Sequence, residues 1–423
     1  MVILKKLLMK SRAFLGVISQ GLWSASSLAI TIILARMLSI EEFGWYAVGL
    51  AIRLLFLVPL DSLVLTPLTV LNGRSENGAT RKQREGSIIA MFQITATVIV
   101  VAGFIGGVIF RLPGLEFAMF ILAGVAIDFQ RKLNFMDDRP YQDFIGGSIN
   151  LLGVSVLLLL LARFHLLSLA TAFLAIGSVG VLWAAGSGWS RWKQWRTSIT
   201  WHEIRALWRI GRWGLASNSA GYVFSQVSLF MTLQIIGPVG VAVLELARQA
   251  VSFVQVLLAG MANLWGPRLA RSAAHDTRQQ FMRFIWQVTG LQTVVGVTLL
   301  ASVLFSLDYL LPVLFPNKTE IYGATISVAW ILAGAMVCQL LSQHPSFGVV
   351  ALGKPEYGFV TRLVSCVLLV PIGYGLTLAY GVPGAAWTRL IGEVVVLVLS
   401  IIMLQRAARS PAMEIMETGS LAR

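Results

Sequence analysis

Twelve times along this chain an apolar run of about 20 residues is closed by a short turn, and that repetition leaves little choice of fold. At about 1.5 Å rise per residue, a helical run of about 20 residues spans the roughly 30 Å hydrocarbon core of a bilayer. The runs lie near residues 14–37, 43–71, 87–110, 115–134, 143–162, 165–188, 213–236, 240–265, 284–311, 322–343, 357–379 and 384–404. Links such as Arg111-Leu112-Pro113-Gly114 and Gly381-Val382-Pro383-Gly384 separate neighbours with turn residues. Transmembrane β-barrels alternate polar and apolar residues, and these runs do not alternate, so the expected fold is an all-α polytopic membrane protein. The weakest runs are the fourth, with Asp128 near its end, and the second, with Arg53, Pro59, Asp61 and Pro67. Only 12% of the 423 residues are charged and 57% are hydrophobic, too little charge to cover a soluble surface, where about 25% is usual. A soluble enzyme, a disordered chain and a secreted disulfide scaffold are thereby excluded. Cys338 and Cys366 sit inside apolar runs and read as small buried hydrophobes.

The net charge of +14 is explained by its placement. With twelve spans and the N-terminus inside, 25 Lys and Arg fall on the cytoplasmic side, against Arg36, Arg111, Arg163 and Lys318 on the other. That asymmetry is the positive-inside signal. It places both termini on the cytoplasmic side. The basic N-terminus resembles a signal peptide, but the run over residues 14–38 is too long for a signal h-region and reads as the first span.

Residues 190–212 interleave six basic residues with tryptophans and divide the chain into six spans and six spans. Such a segment suits the headgroup layer of an anionic leaflet; nucleic acid is not an expected partner. The expected organisation is an N-terminal six-helix bundle over 1–189, an interfacial linker over 190–212, a C-terminal six-helix bundle over 213–405 and a cytoplasmic tail over 406–423. The halves show a faint parallel repeat. Phe43-Gly44-Trp45-Tyr46-Ala47 corresponds to Val239-Gly240-Val241-Ala242-Val243, and Arg53 and Arg248 follow at nearly the same offset. Pro67 and Pro267 are expected to end the two corresponding helices. Parallel repeats of this kind leave a central cavity between bundles.

The stretch Leu34-Ala35-Arg36-Met37-Leu38-Ser39-Ile40-Glu41-Glu42-Phe43-Gly44-Trp45-Tyr46-Ala47 resembles the opening signature of Wzx-type polysaccharide-biosynthesis flippases. These belong to the multidrug/oligosaccharidyl-lipid/polysaccharide exporter superfamily. Residues 237–268, ending Gly266-Pro267-Arg268, are similar to the corresponding second-half segment. The resemblance implies a non-enzymatic transporter that exports a lipid-linked oligosaccharide across the bacterial inner (cytoplasmic) membrane, through a cavity lined chiefly by helices 1, 2, 7 and 8.

The residues of those helices fit a wet cavity. Gln20, Trp23, Ser24, Ser27 and Thr31 mark one face of helix 1, and Asn218, Tyr222 and Gln226 recur at i, i+4, i+8 on helix 7. The alternative for the hydroxyls is plain helix packing. Charges within a bilayer cost at least about 2.5 kcal/mol, so they face a cavity or a partner. Arg53 and Arg248 are therefore candidates to receive a pyrophosphate, since a planar guanidinium binds two oxygens at once. Their structural alternatives are ion pairs with Asp61 and Glu245. Arg389 and Glu393 stand at i, i+4 and read as an intrahelical pair or a gate. Asp61, between two prolines, is a candidate coupling group; Arg36, near Glu41 and Glu42, is a candidate gate or surface pair. His344, before Pro345, reads as a solvated residue at a cytoplasmic helix end.

No phosphate-binding Gly-rich loop and no metal-spaced cluster is present in the sequence, so neither cofactor nor metal is expected. An H⁺ or Na⁺ gradient or the membrane potential would supply the drive. The expected partners are a polyprenyl-pyrophosphate-linked oligosaccharide (an exopolysaccharide or O-antigen repeat unit), membrane lipids, and a polysaccharide polymerase with its export machinery. A cation-coupled drug exporter is the main alternative; such exporters tend to carry an acid in helix 1, and none occurs between residues 14 and 38. A lipid II flippase would typically have fourteen spans. A membrane polymerase would show a long periplasmic loop, and the longest here, near 311–322, is short.

Overall fold

The computed structural model describes residues 2–65, 78–110, 112–136, 139–192, 201–316, 318–352 and 354–409. Among them the architecture is helical, with twelve long rods in chain order. In the first half these are α1 (Val2–Met37), α2 (Ile40–Leu60), α3 (Gly78–Ile109), α4 (Gly114–Met136), α5 and α6 (Leu169–Trp192). α5 runs Pro140–Ile149, widens through a π-turn at Asn150–Val154 and continues over Ser155–Arg163. The second half holds α7 (Trp201–Ile235), α8 (Pro238–His275), α9 (Arg278–Leu314), α10 (Tyr322–Ala351), α11 (Pro355–Tyr380) and α12 (Val382–Ala408).

Contacts cluster into two compact units, Met1–Tyr222 and Val223–Arg423, divided within α7. In the first unit α1 packs on α5, α2 on α3 and α4, α3 on α4, and α4 on α6. Six helices later the same pairings recur: α7 packs on α11, α8 on α9 and α10, α9 on α10, and α10 on α12. The parallel six-plus-six repeat expected from sequence is therefore present in the packing.

Nine of the helices are long and apolar enough to cross a membrane, counting only the described residues. Among those tested, α4 and α7 fall short, so the second run is stronger than expected and the seventh weaker; too few side chains of α8 are described for the count to include it. Polarity explains the two: α4 carries Glu116, Asp128, Arg131 and Lys132, and α7 carries the Asn, Gln and Ser residues singled out above.

Bilayer lipid is as apolar as leucine, so the interiors are held by close packing rather than by expulsion of water. In the first unit Phe43, Phe117, Phe120 and Phe173 are wholly buried, and the Phe120 and Phe173 rings stack with centroids 4.9 Å apart. Gly177 of α6 permits the approach to α4, because a Cβ there would lie 2.9 Å from the Met119 backbone. In the second unit Leu269, Phe281, Ile285, Val349 and Leu404 join α8, α9, α10 and α12. Large apolar residues such as Val98, Leu182 and Phe305 point outward, as lipid-facing positions should.

Local signals set the helix ends. Ser39 caps α2 through a reciprocal box with Glu42: the Ser39 hydroxyl accepts from the Glu42 N–H at 3.1 Å, and the Glu42 carboxylate accepts from the Ser39 N–H at 3.2 Å. Thr277 and Gln280 repeat the device at α9. Gly381, at φ +64°, turns the chain from α11 into α12, and Pro383 occupies the first turn that follows.

Two expectations change, and one local feature is new. Residues 201–212, expected as part of an interfacial linker, are the first turns of α7, and α6 runs on to Trp192; residues 193–200 lie outside the described part. Pro267 does not end α8, which continues to His275; Pro67 lies outside the described residues. Beyond Pro59, α2 opens into a π-turn over Asp61–Leu65, the usual form of a one-residue insertion in a helix and common at functional sites.

Candidate functional site

Arg53 does not pair with Asp61. Its guanidinium lies across α4 in the gap left by Gly124, where any Cβ would collide with it. One turn before Gly124 the guanidinium rides over the Phe120 ring, 4.7 Å from the centroid. One turn after it stands Asp128, the carboxylate that acts most strongly on Arg53. Positions 120, 124 and 128 thus form a track of ring, gap and carboxylate at helical spacing. The Arg53 Nε has no hydrogen-bond partner among the described residues. Sequence reasoning noticed Asp128 only as a blemish in the fourth span; the i, i+4 relation of Gly124 and Asp128 was the available signal.

Arg248 takes the partner expected of it, with Nη2 2.7 Å from the Glu245 carboxylate. Glu245 is 1% exposed and also accepts from Gln249 Nε2 at 2.6 Å, while Arg248 keeps 31% of its side chain accessible. Ser252 continues the row by donating to the Gln249 carbonyl at 2.9 Å. One face of α8 therefore presents a guanidinium and an amide anchored on a single buried carboxylate, with a hydroxyl beside them.

The polar stripe of α1 divides between both readings. Ser24 and Thr31 donate to carbonyls of their own helix, the packing alternative, and Ser27 is exposed. Gln20 is exposed but engaged, its amide oxygen accepting from Arg131 Nη2 at 2.6 Å. Behind it lies a network that sequence reasoning missed. Asp143 of α5 is wholly buried, accepts from the Ser19 hydroxyl, and pairs with Arg131 Nε at 3.1 Å. The Arg131 guanidinium rests 4.9 Å from the Trp23 ring, and Trp23 Nε1 donates to the Asp143 carbonyl at 3.2 Å. Arg131, counted above among the topology-setting cations, is thus held inside the first bundle. Asp143 stands in the first turn of its helix, where a carboxylate is unremarkable in sequence.

On α7, Asn218 donates to the Ser62 hydroxyl at 3.0 Å and lies 3.4 Å from the Asp61 carboxylate, which is otherwise exposed. The Tyr222 hydroxyl donates to the Ala51 carbonyl at 2.5 Å. Gln226 is buried, and its amide oxygen has no partner among the described residues. In the second unit Arg389 pairs with Glu393 at 2.6 Å, donates to the Phe224 carbonyl at 3.2 Å and sits 4.7 Å from the Phe224 ring. Arg36 is exposed in the last turn of α1, where a cation suits the helix dipole. His344 is not a solvated end: it is wholly buried inside α10, with Nε2 2.5 Å from the Gln292 amide oxygen. No group of three or more His, Cys, Asp or Glu is placed to hold a metal among the described residues.

These features define the class: a multi-pass helical membrane protein of two repeated bundles whose polar residues gather on α1, α4, α7 and α8. No family model matches the sequence, and no curated protein does. Solved structures match the fold. An inward-facing multidrug resistance transporter of the MATE family, in the MOP superfamily, aligns with TM-score 0.76 at 14% identity, over 93% of this chain and 95% of that one. The lipid II flippase MurJ, in an inward closed conformation, aligns with TM-score 0.68 at 11% identity over 98% and 91%. A MOP-superfamily transporter from Pyrococcus furiosus gives 0.67 at 11% over 96% and 95%. At such identities the likeness is one of fold, and the fold is that of MOP-superfamily transporters.

Proposed function

We propose that the chain is a flippase carrying a polyprenyl-pyrophosphate-linked oligosaccharide, an exopolysaccharide or O-antigen repeat unit, across the bacterial inner membrane by alternating access. The observation that carries the reading is the α8 row. Arg248 is fixed at 2.7 Å to buried Glu245 yet stays partly open, with Gln249 and Ser252 beside it. A guanidinium held in place loses little further freedom when it takes a phosphate, and amides and hydroxyls in line suit sugar hydroxyls. Arg53 would join only by leaving its place on α4. The resemblance of residues 34–47 to polysaccharide flippases adds the substrate class.

A cation-coupled small-molecule exporter is the second reading, favoured by the fold likeness to the MATE transporter. Gene deletion separates the two. The flippase reading expects loss of surface polysaccharide, complete lipid-linked repeat units stranded on the cytoplasmic leaflet, and no rescue by Arg248→Ala at normal protein level. Normal polysaccharide with heightened sensitivity to cationic dyes would establish the exporter instead. Units that reach the outer face and stay unpolymerised would point to a polymerase.

A further inference from the structure

The second unit holds a buried polar chain that the proposed transport path does not use. Gln292 of α9 donates from Nε2 to the Gln343 amide oxygen of α10 at 2.5 Å and turns its own amide oxygen to His344 Nε2, also at 2.5 Å. That order fixes the imidazole. With an acceptor facing Nε2, the neutral ring carries its proton there, and Nδ1 is left as a bare lone pair. The ring is wholly buried and Nδ1 has no hydrogen-bond partner among the described residues. Buried polar atoms are rarely left so.

Among the described residues the surroundings supply no counter-charge. α8, α9, α11 and α12 pack against α10, and no charged group on any of them acts on the ring among the described residues. Glu393 of α12 acts instead on Cys338, six residues earlier on α10. From α9 the ring meets Gln292; from α12 the neighbouring contact is Ser400, bonded to Ser346 at 3.0 Å. The ring therefore sits among neutral hydrogen-bonding groups.

Directly after it comes Pro345, inside α10. Proline has no N–H, so the Leu341 carbonyl, one turn back, lacks its i+4 donor. A bare imidazole nitrogen and an under-satisfied carbonyl thus lie within one helical turn. We propose that His344 is a proton-binding site of the C-terminal bundle, Nδ1 taking the proton and α10 adjusting its bend at Pro345 to give the new N–H an acceptor. The step is simple protonation: both ring nitrogens become donors, Nε2 keeping Gln292, and the ring gains one positive charge. The inference deepens the transport reading by naming the coupled ion, and for that use it rests on that reading.

The test needs no sugar substrate, so it can fail independently of the flippase assignment. The chain has four histidines, His165, His202, His275 and His344, few enough for ¹⁵N-histidine NMR of the full-length protein in lipid nanodiscs. Titrating from about pH 8 to about pH 3 spans the range in which a desolvated imidazole takes up a proton. The expected result is a neutral Nε2–H ring for His344 at the upper end, with loss of the bare-nitrogen signal on acidification. Amide exchange over residues 340–350 should change over the same pH range, and that change should vanish in His344→Gln. An Nδ1–H tautomer at the upper end, a ring that stays neutral throughout, or the same pH-dependent exchange in His344→Gln would each overturn it. The wild-type titration stands by itself if the variant does not fold.

Discussion

Gly124→Ala tests whether Arg53 is seated on α4. The added methyl would overlap the guanidinium, with Cζ and Nη2 both 2.8 Å away even before the closer Nε contact is considered. If the arginine stays, overpacking costs about 1–3 kcal/mol. If it moves, it gives up the Phe120 contact, worth about 0.5–2 kcal/mol when desolvated, and its approach to Asp128. Against this, replacing a mid-helix glycine by alanine stabilises by about 0.5–1 kcal/mol. The net expectation is a loss of about 1–2 kcal/mol in the wild-type background. With Arg53→Ala already in place the obstacle is gone, and the same substitution should stabilise by about 0.5–1 kcal/mol. The unpaired Asp128 is common to both members of that second comparison and cancels. Unfolding in mixed detergent and SDS micelles, followed by tryptophan fluorescence, would give the four corners of the cycle. A coupling of about 2 kcal/mol is expected, within the range for residues in contact. Equal effects of Gly124→Ala in the two backgrounds would refute the placement of Arg53.

Two further substitutions probe the first unit. Asp143→Ala removes the partner of Arg131 and Ser19 and leaves a cation in a largely buried site, so it should cost about 3–5 kcal/mol; Asp143→Asn keeps an acceptor and should cost less, both read by the same unfolding assay. Ser39→Ala breaks the cap of α2 and should cost about 0.5–2 kcal/mol, with faster amide exchange confined to the first turn over residues 40–43; unchanged exchange there would remove the capping role.

The motif that carried the family resemblance turns out to be structural in its visible contacts. Ser39 and Glu42 form the capping box, Phe43 is wholly buried, and Tyr46 packs its ring 6.1 Å from that of Phe173. A signature of this kind marks a fold because it encodes a helix start and the residues that seat it. It was legible because caps and apolar spacing act over three or four residues. The α8 pair of Arg248 and Glu245 was legible for the same reason, as was Arg389 with Glu393. What escaped the sequence were the partners on other helices. Arg53 was given the nearest acid along its own chain, whereas its neighbour in space is Asp128 on α4. Asp143 lies 124 positions from Ser19, and His344 lies 52 from Gln292, separations over which no periodicity speaks.

The sequence alone determined that this chain is a helical membrane protein, how many long helices its described residues form, and that its halves repeat. Each of those follows from apolar run length, turn residues and the recurrence of short motifs, all of which are local properties. Only the tertiary structure decided which charges neutralise one another inside the bundles and which remain open. Arg53 is seated on α4 over Phe120 and against Gly124, Arg131 is held by the Asp143 carboxylate of another helix, Arg248 is anchored yet accessible, and His344 is buried with one nitrogen bare. The physical reason is that a charge in a bilayer must find its partner wherever helix packing brings one, and helix packing is not written at any fixed spacing along the chain.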